Sequence, residues 1–443
     1  MNIFFVSLGC DKNLVDSEYM IGSLMGPYNI CDDENEADII VVNTCCFIHD
    51  AKTESIETII EMGNLKKNGR LKYLIVTGCL AERYKDDIIK EIPEVDAVIG
   101  VTATEEIKNV IDKLVKDNSE HLGVYKELSY LPENKGKRVT STGAVTAYLK
   151  IAEGCNKNCT YCIIPKIRGK YRSYPMEKLL EEAEELAKNG IKELIVIAQE
   201  TTVYGMDLYG RKMLAELLKK LCEIDGISWI RLMYAYPEEI TDELIQVMKE
   251  EDKICKYIDM PIQHASDRIL KKMGRRTKKD DLVSIIEKLR KNIPDIVIRT
   301  TLITGFPSES DEDYEELVDF VYNMNFERLG VFTYSPEEDT AAALMDNQID
   351  KEIKEARKDG IMELQQDIVF DKNSEYIGRT FDVIIEGFVP EEKIYVGRTY
   401  MDAPNIDGYI FVNSEYMLMS GDIIQAEVTA ADGYDLIAED IRN

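Results

Sequence analysis

Residues 147–162 read Ala147-Tyr148-Leu149-Lys150-Ile151-Ala152-Glu153-Gly154-Cys155-Asn156-Lys157-Asn158-Cys159-Thr160-Tyr161-Cys162. The stretch 147–152 has the length and apolar content of a buried strand. A C-x3-C-x2-C cluster follows it at once. Three thiolates on one short loop can converge on a soft metal centre. Zinc normally takes four ligands, and no His or fourth Cys follows at zinc-finger spacing. Four-iron clusters are normally Cys-ligated at each iron. Three Cys therefore leave one iron open to a substrate or cofactor.

Strand and helix patterns alternate from this point onward. Strands are expected at 193–198, 229–234, 256–260, 297–303 and 329–332. Helices are expected between them at 176–188, 214–222, 242–250, 279–291 and 311–324, with a long amphipathic helix over 351–376. Six βα repeats predict a partial or open β/α barrel spanning 144–373. Active sites of such barrels lie at the C-terminal ends of strands. The Cys155 loop has that position. Gln199, Glu200, Arg299, Glu309 and His264 are also expected at or beside strand ends. The first four are candidate cofactor contacts and His264 a candidate substrate contact. His264 fits a satisfied structural His equally well.

Upstream, residues 1–131 also alternate, with strands expected at 3–8, 39–43, 73–77 and 97–99. Short, near-continuous apolar strands separated by helices predict a parallel sheet covered on both faces. Cys10, Cys45 and Cys79 each fall just past one of these strands. In a parallel sheet all C-terminal ends share one edge, so the three thiols can meet there. Each follows a small residue, Gly9, Thr44 or Gly78, which lets backbone approach a bulky inorganic ligand. A second three-Cys iron–sulfur site is the functional reading, and buried structural thiols are the alternative. Cys46 is read as a bystander of Cys45. Cys31, Cys222 and Cys255 are read as ordinary thiols. His49, His121 and His264 are too scattered in sequence to form a metal site.

Residues 132–143 have linker composition, with Pro, two Gly and clustered polar residues. Residues 374–443 show four short strands between Gly, Pro, Asn and Asp turns, at 380–387, 394–398, 409–412 and 423–429. This predicts a small all-β barrel of OB-like size. The tail holds 14 acidic and 4 basic residues, a net charge of −10.

The whole chain has 443 residues, 54 Lys and Arg against 83 Asp and Glu, and a net charge of −29. Such a surface repels phosphate backbones and favours a basic protein partner. Glu391, Glu392 and Asp402 are acidic groups of the tail expected to meet that partner. The basic run 271–279 reads first as a solvated face, and it is the one stretch where RNA could be touched. No segment approaches the roughly 18 apolar residues of a membrane span. The first ten residues lack the basic start of a leader and read as a strand, so the protein is expected in the cytoplasm. Ten Cys in a reducing compartment point to metal or redox use rather than disulfides.

The Cys155 loop resembles that of the radical S-adenosylmethionine superfamily. The wider pattern resembles its methylthiotransferases over essentially the whole chain. Residues 1–100 with Cys10, Cys45 and Cys79, the cluster from Gly154 to Pro165, and a terminal β domain of the TRAM type carry this resemblance. Further matches are Tyr148 to Cys155, Ile164 to Gly169, Ala198 to Gly205, Gln263 to Asp267, Tyr334 to Glu338 and Asp402 to Gly408. Among the methylthiotransferases they point to enzymes that modify an aspartate of ribosomal protein S twelve. Cys46, Glu200 and Asp339 depart from the family pattern.

The resemblance implies that Cys155, Cys159 and Cys162 hold a four-iron cluster that chelates S-adenosylmethionine. It implies that Cys10, Cys45 and Cys79 hold an auxiliary four-iron cluster carrying the sulfur to be transferred. One S-adenosylmethionine would supply the methyl group. A second would yield the radical that attacks the aspartate β-carbon. No side-chain acid or base is expected to be catalytic. The implied partners are ribosomal protein S twelve, met on the ribosomal subunit, and an electron donor of flavodoxin or ferredoxin type, with no membrane, no transfer RNA, and a monomeric enzyme. The alternatives are a methylthiotransferase acting on adenosine of transfer RNA, or a non-catalytic iron–sulfur carrier.

Overall fold

The computed structural model describes residues 1–117, 121–133, 137–143 and 145–442. Residues 134–136 of the expected linker, and residue 144 where the second β/α series is expected to open, lie outside the described residues.

In chain order, β1 (Asn2–Ser7), β2 (Asn29–Ile30), β3 (Ile39–Thr44), β4 (Tyr73–Gly78), β5 (Ala97–Ile99) and β6 (Leu122–Val124) form one parallel sheet in the order β2-β1-β3-β4-β5-β6. β7 (Thr146–Lys150) opens a second sheet. A short ladder of β8 (Ala152–Glu153) and β9 (Arg172–Ser173) follows. The second sheet continues through β10 (Glu193–Ile197), β11 (Trp229–Leu232), β12 (Ile254–Asp259), β13 (Val297–Thr304) and β14 (Arg328–Thr333). Its order, β14-β13-β12-β11-β10-β7, follows the sequence, and every pair is parallel. This is the open β/α barrel expected from six repeats. Finally β15 (Thr380–Val389), β16 (Ile394–Arg398), β17 (Ile410–Asn413), β18 (Ile423–Asp432) and β19 (Asp435–Asp440) close a small barrel. The sequence pattern showed four of these strands. β19 pairs antiparallel with β18 and parallel with β17, and so completes the closure.

The chain divides into two compact units. One comprises Met1–Ser141, Ala152–Tyr174 and Ser335–Ala343. The other comprises Thr142–Ile151, Pro175–Tyr334 and Leu344–Asn443. The Cys155 loop thus packs in the same unit as the amino-terminal sheet.

In the first unit, β3 is buried along its whole length and β4 along all but Tyr73. Alternate residues of the sheet face two apolar clusters. Ile40, Val42, Leu74, Val76 and Val98 face one, and Ile39, Val41, Ile75, Ala97 and Ile99 the other. β2 lies on one side of β1 and β3 on the other. The strand order therefore reverses at β1, and the crevice at the C-terminal ends of β1 and β3 is where such sheets bind ligands. The end of the linker is strapped to helix α1 (Asp11–Leu24). Arg138 donates from Nε to Glu18 Oε2 at 2.8 Å, and the Ser141 N–H and hydroxyl donate to Glu18 Oε1 at 2.6 and 2.9 Å.

In the second unit, the terminal barrel is joined to the sheet by fully buried ion pairs. Glu193, the first residue of β10, accepts from Arg231 Nε at 2.8 Å and from Arg398 Nη2 at 2.6 Å, with no side chain of the three exposed. Arg328, the first residue of β14, donates to Asp402 at 3.0 Å. Asp402 is 2% exposed, so it is a buried anchor and not part of the acidic surface expected to meet a partner. Two of the anchored residues begin their strands, so the barrel sits toward the edge opposite the strand ends that carry Gln199 and Glu200. Arg275, from the basic run, also faces inward, stacked on the Tyr236 ring. No helix of the described residues is long and apolar enough to cross a membrane.

Candidate metal centre

Cys45 directly follows β3, Cys79 directly follows β4, and Cys10 lies three residues past β1 as the N-cap of α1. Gly9 has φ +86°, in the region that favours glycine. A Cβ there would lie 2.9 Å from the Cys45 sulfur, so the chain before Cys10 is pressed against Cys45. Ser55 clamps the Cys45 backbone, accepting from its N–H at 3.0 Å and donating to its carbonyl at 2.8 Å. Asn13 is fully buried and donates to the carbonyls of Leu8 at 2.9 Å and Thr44 at 3.0 Å. It thereby ties the loop after β1 to the loop after β3. Asn43 returns a bond to the Asn13 carbonyl at 2.8 Å. Cys79 Sγ is 3.9 Å from Asn13 Oδ1. Burial, reinforced by Cys79 and Cys10, pushes the Cys45 thiol up to about 12. Burial also raises Cys79. Cys46 is fully buried in the apolar cluster with Ile40, Val42 and Ile59, consistent with a bystander.

The second triad is held on its own scaffold. Gly154, at φ +75°, lets the chain cross the carbonyls of Gly169 and Lys170, which a Cβ would approach to 2.5 and 2.3 Å. The Cys155 N–H donates to Gly169 O at 3.2 Å, and the Cys162 N–H to Cys159 O at 3.1 Å. Asn156 Oδ1 accepts from the Tyr171 N–H at 3.0 Å. Ala342 N–H donates to Thr160 O at 2.9 Å, so the segment Ser335–Ala343 lies across the loop. Lys166, Arg83 and Tyr84 hold the same segment through Asp339 O, Glu338 O and the Glu338 carboxylate. Burial, with Cys159 and Cys155 beside it, pushes Cys162 up to about 12.

Both triads suit iron–sulfur clusters. The donors are soft and mostly buried, and glycine leaves room at each loop. Among the described residues no three His, Cys, Asp or Glu side chains gather on a single ion. A four-iron cluster does not require it, because each thiolate binds a separate iron. Thiols raised by burial bind metal as thiolates, so loading must release their protons.

Arg168 was not singled out by the sequence, and it belongs to this site. It is 2% exposed. Its Nη1 donates to Asp16 at 3.0 Å and to Glu153 at 3.3 Å, and its Nη2 donates to Asn13 Oδ1. The only sequence signal was its place in Ile164 to Gly169.

The second unit holds the other candidates. Gln199 lies just past β10 with its Oε1 buried and unmatched by any hydrogen bond. Glu200 is 1% exposed and accepts from the Thr202 hydroxyl at 3.3 Å. Arg299 is engaged by Asp259 at 2.8 Å and by Asp407 at 3.5 Å. Glu309 accepts from the N–H groups of Gly305 at 3.0 Å and Phe306 at 3.3 Å, and from Arg357 at 2.8 Å. Burial alone would raise its carboxyl, but His264, Gly305 and Arg357 hold it below the usual range. His264 is fully buried, and its Nδ1 accepts from the N–H groups of Ala265 and Ser266 at 2.9 Å each. Its proton therefore sits on Nε2, 3.4 Å from Glu309. The polar groups of Arg299, Glu309 and His264 are largely taken up by the chain itself.

Three family models match the chain: the Radical SAM superfamily over residues 149–321, Uncharacterized protein family UPF0004 over 2–100, and the TRAM domain over 377–441. The chain is 63% identical to the ribosomal protein uS12 methylthiotransferase RimO of Lachnoclostridium phytofermentans, across 99% of each chain. It is 51% identical to the RimO of Thermoanaerobacter sp., again across 99% of each. Among solved structures it is similar to the radical S-adenosylmethionine methyltransferase TsrM from Kitasatospora setae, with a TM-score of 0.54 and 12% identity over 77% of this chain and 74% of that one. That likeness is one of fold. With motif, architecture and sequence identity over nearly the whole chain in agreement, the chain belongs to the RimO family of radical S-adenosylmethionine methylthiotransferases.

Proposed function

We propose that this enzyme methylthiolates ribosomal protein uS12, at the β-carbon of an aspartate, using two S-adenosylmethionine molecules and two four-iron clusters. The observation that carries the reading is the presence of two separate three-thiol sets on one folded unit. Cys155, Cys159 and Cys162 would hold the cluster that binds S-adenosylmethionine, and Cys10, Cys45 and Cys79 the auxiliary cluster. When bound, the clusters supply the electron for reductive cleavage and the methylthio group for transfer. An unactivated C–H bond offers no acidic proton, so the chain's own residues bind, orient and exclude water rather than exchange protons with substrate.

Gln199 is the strand-end residue best suited to meet the cofactor, because its buried carbonyl is still open. Glu200 stands beside it. Glu309 and His264 would act by shaping the strand ends, and Arg299, engaged by Asp407, by anchoring the terminal barrel. The acidic terminal barrel supports a basic protein substrate over transfer RNA. We assign the enzyme to the cytoplasm as a monomer that takes electrons from a flavodoxin or ferredoxin and meets uS12 on the ribosomal subunit.

The test is mass spectrometry of uS12 and of transfer RNA from a deletion strain, before and after complementation. A methylthio group lost from uS12 and restored by the gene is expected. A change confined to transfer RNA would replace the protein substrate with adenosine. No cleavage of S-adenosylmethionine by the reduced, reconstituted protein would leave a carrier instead of an enzyme.

A further inference from the structure

Arg168 is a buried cation at the junction of two chain segments that each carry a cysteine triad. It lies six residues past Cys162. Its partners are Asn13 and Asp16, three and six residues past Cys10, and Glu153, two residues before Cys155. Both terminal nitrogens of the fork are therefore committed, Nη1 bridging the two segments through Asp16 and Glu153 and Nη2 held on the Cys10 side by Asn13. Asn13 Oδ1, which accepts from Nη2, also stands 3.9 Å from Cys79 Sγ, so the guanidinium lies beside the amino-terminal triad. On the side of the Cys155 loop it meets the Glu153 carboxylate. Two carboxylates hold a single guanidinium in place, so its position is set by the fold and not by the thiols. A planar fork bound on two sides has a fixed location that an ammonium on a flexible stem would hold less well.

We infer that Arg168 is a positioning residue that fixes the loop of Cys10 against the root of the Cys155 loop and places one positive charge beside Cys79 of the amino-terminal triad. The inference rests on the two-cluster reading. A fixed positive charge beside a buried cluster favours the state with one more electron, because a buried charge is weakly screened. Arg168 therefore raises the reduction potential of the cluster held by Cys10, Cys45 and Cys79 and acts less on the other. Charge and hydrogen bonding around a cluster are the protein's means of setting such potentials.

The experiment uses two full-length backgrounds, each reconstituted anaerobically. In one, Cys155, Cys159 and Cys162 are changed to Ala, so the amino-terminal site alone is loaded. In the other, Cys10, Cys45 and Cys79 are changed to Ala. Arg168→Gln, Arg168→Lys and Arg168→Gln/Glu153→Gln are placed in each, the double variant removing the carboxylate that loses its partner. Iron content, circular dichroism and the midpoint potential followed by electron paramagnetic resonance are read. In the first background Arg168→Gln and the double variant should shift the potential negative, Arg168→Lys should restore most of it, and the iron content should hold. In the second the shift should be smaller. Equal shifts in both backgrounds, an unchanged potential in the first, or Arg168→Lys shifted as far as Arg168→Gln would overturn the inference. Loss of iron from folded Arg168→Lys as well as from Arg168→Gln would also overturn it, because the retained charge would then count for nothing. Absence of iron from a background carrying native Arg168 would defeat the two-cluster reading instead.

Discussion

A Cβ placed on Gly9 would lie 2.6 Å from the Cβ of Cys45, closer than real Cβ atoms approach one another. These residues are 36 apart in sequence. Gly9→Ala must therefore displace either the loop after β1 or the loop after β3, and it also loads a side chain onto a φ of +86° at a cost of about 1–2 kcal/mol. The fold should survive, because the sheet core is untouched. Iron bound by the amino-terminal site should fall well below one cluster's complement while the Cys155 site stays loaded. Iron analysis of Gly9→Ala in the background lacking Cys155, Cys159 and Cys162 measures this directly.

The native chain should hold about eight iron after anaerobic reconstitution. Replacing either triad with Ala should halve that figure. Cys46→Ala should leave it unchanged, because Cys46 is fully buried in the apolar cluster. Loss of a cluster on Cys46→Ala with Cys45→Ala silent would exchange their roles.

Acid should weaken the second unit through Glu193. Burial pushes its carboxyl up, but Arg398 and Arg231 outweigh this and hold it at about 2, against 4.5 for the free group. A depressed carboxylate stabilises the fold above its unfolded value. That stabilisation, roughly 3 kcal/mol, is lost as pH falls from about 4.5 to about 2. Denaturant titrations of the native chain should show a steeper loss in this window than Glu193→Gln, which should be less stable at neutral pH because both guanidiniums lose their carboxylate.

Asp402 and the pair Glu391 and Glu392 should separate structure from recognition. Asp402→Asn removes the charge facing buried Arg328 and should cost about 3–5 kcal/mol in thermal or denaturant unfolding. Glu391 and Glu392 are exposed. Their double replacement by Lys should leave stability nearly unchanged and weaken binding of full-length enzyme to uS12 by roughly three- to tenfold at low salt. The difference should fade as salt rises. Binding unaffected by the reversal would move the partner surface elsewhere.

Much of the scaffold was legible in the sequence. Helices Met176–Lys188, Asp242–Glu250 and Asp311–Met324 have the bounds that periodicity gives them. Two of them open on a capping side chain, Thr241 accepting from the Leu244 N–H and Ser310 from the Asp313 N–H. The placement of Cys10, Cys45 and Cys79 past β1, β3 and β4 was legible because strand ends in a parallel sheet share an edge. Orientation was not. Glu309 and His264 lie past strand ends, whereas Arg299, expected beside one, is the third residue of β13 and reaches Asp407 of the terminal barrel; the partners of all three come from Asp259, Asp407, Arg357 and neighbouring backbone, which only the fold brings together. Asp402 counts as one more acid in a tail tally, and nothing local reveals that Arg328 covers it. Arg168, Asn13 and Ser55 act through contacts 10 to 155 residues away in sequence.

The discontinuity of the first unit sets a timetable for biosynthesis. The amino-terminal sheet and the Cys155 loop are complete by Tyr174, but Ser335–Ala343, which lies across that loop through Ala342 and Thr160, is made about 160 residues later. At ordinary elongation speeds that gap lasts about 10–30 s. During it the six cysteines proposed as cluster ligands have been synthesised while the covering segment does not yet exist. A nascent chain emerging from the ribosome thus offers its metal sites to assembly factors before its own later sequence can restrict access to them.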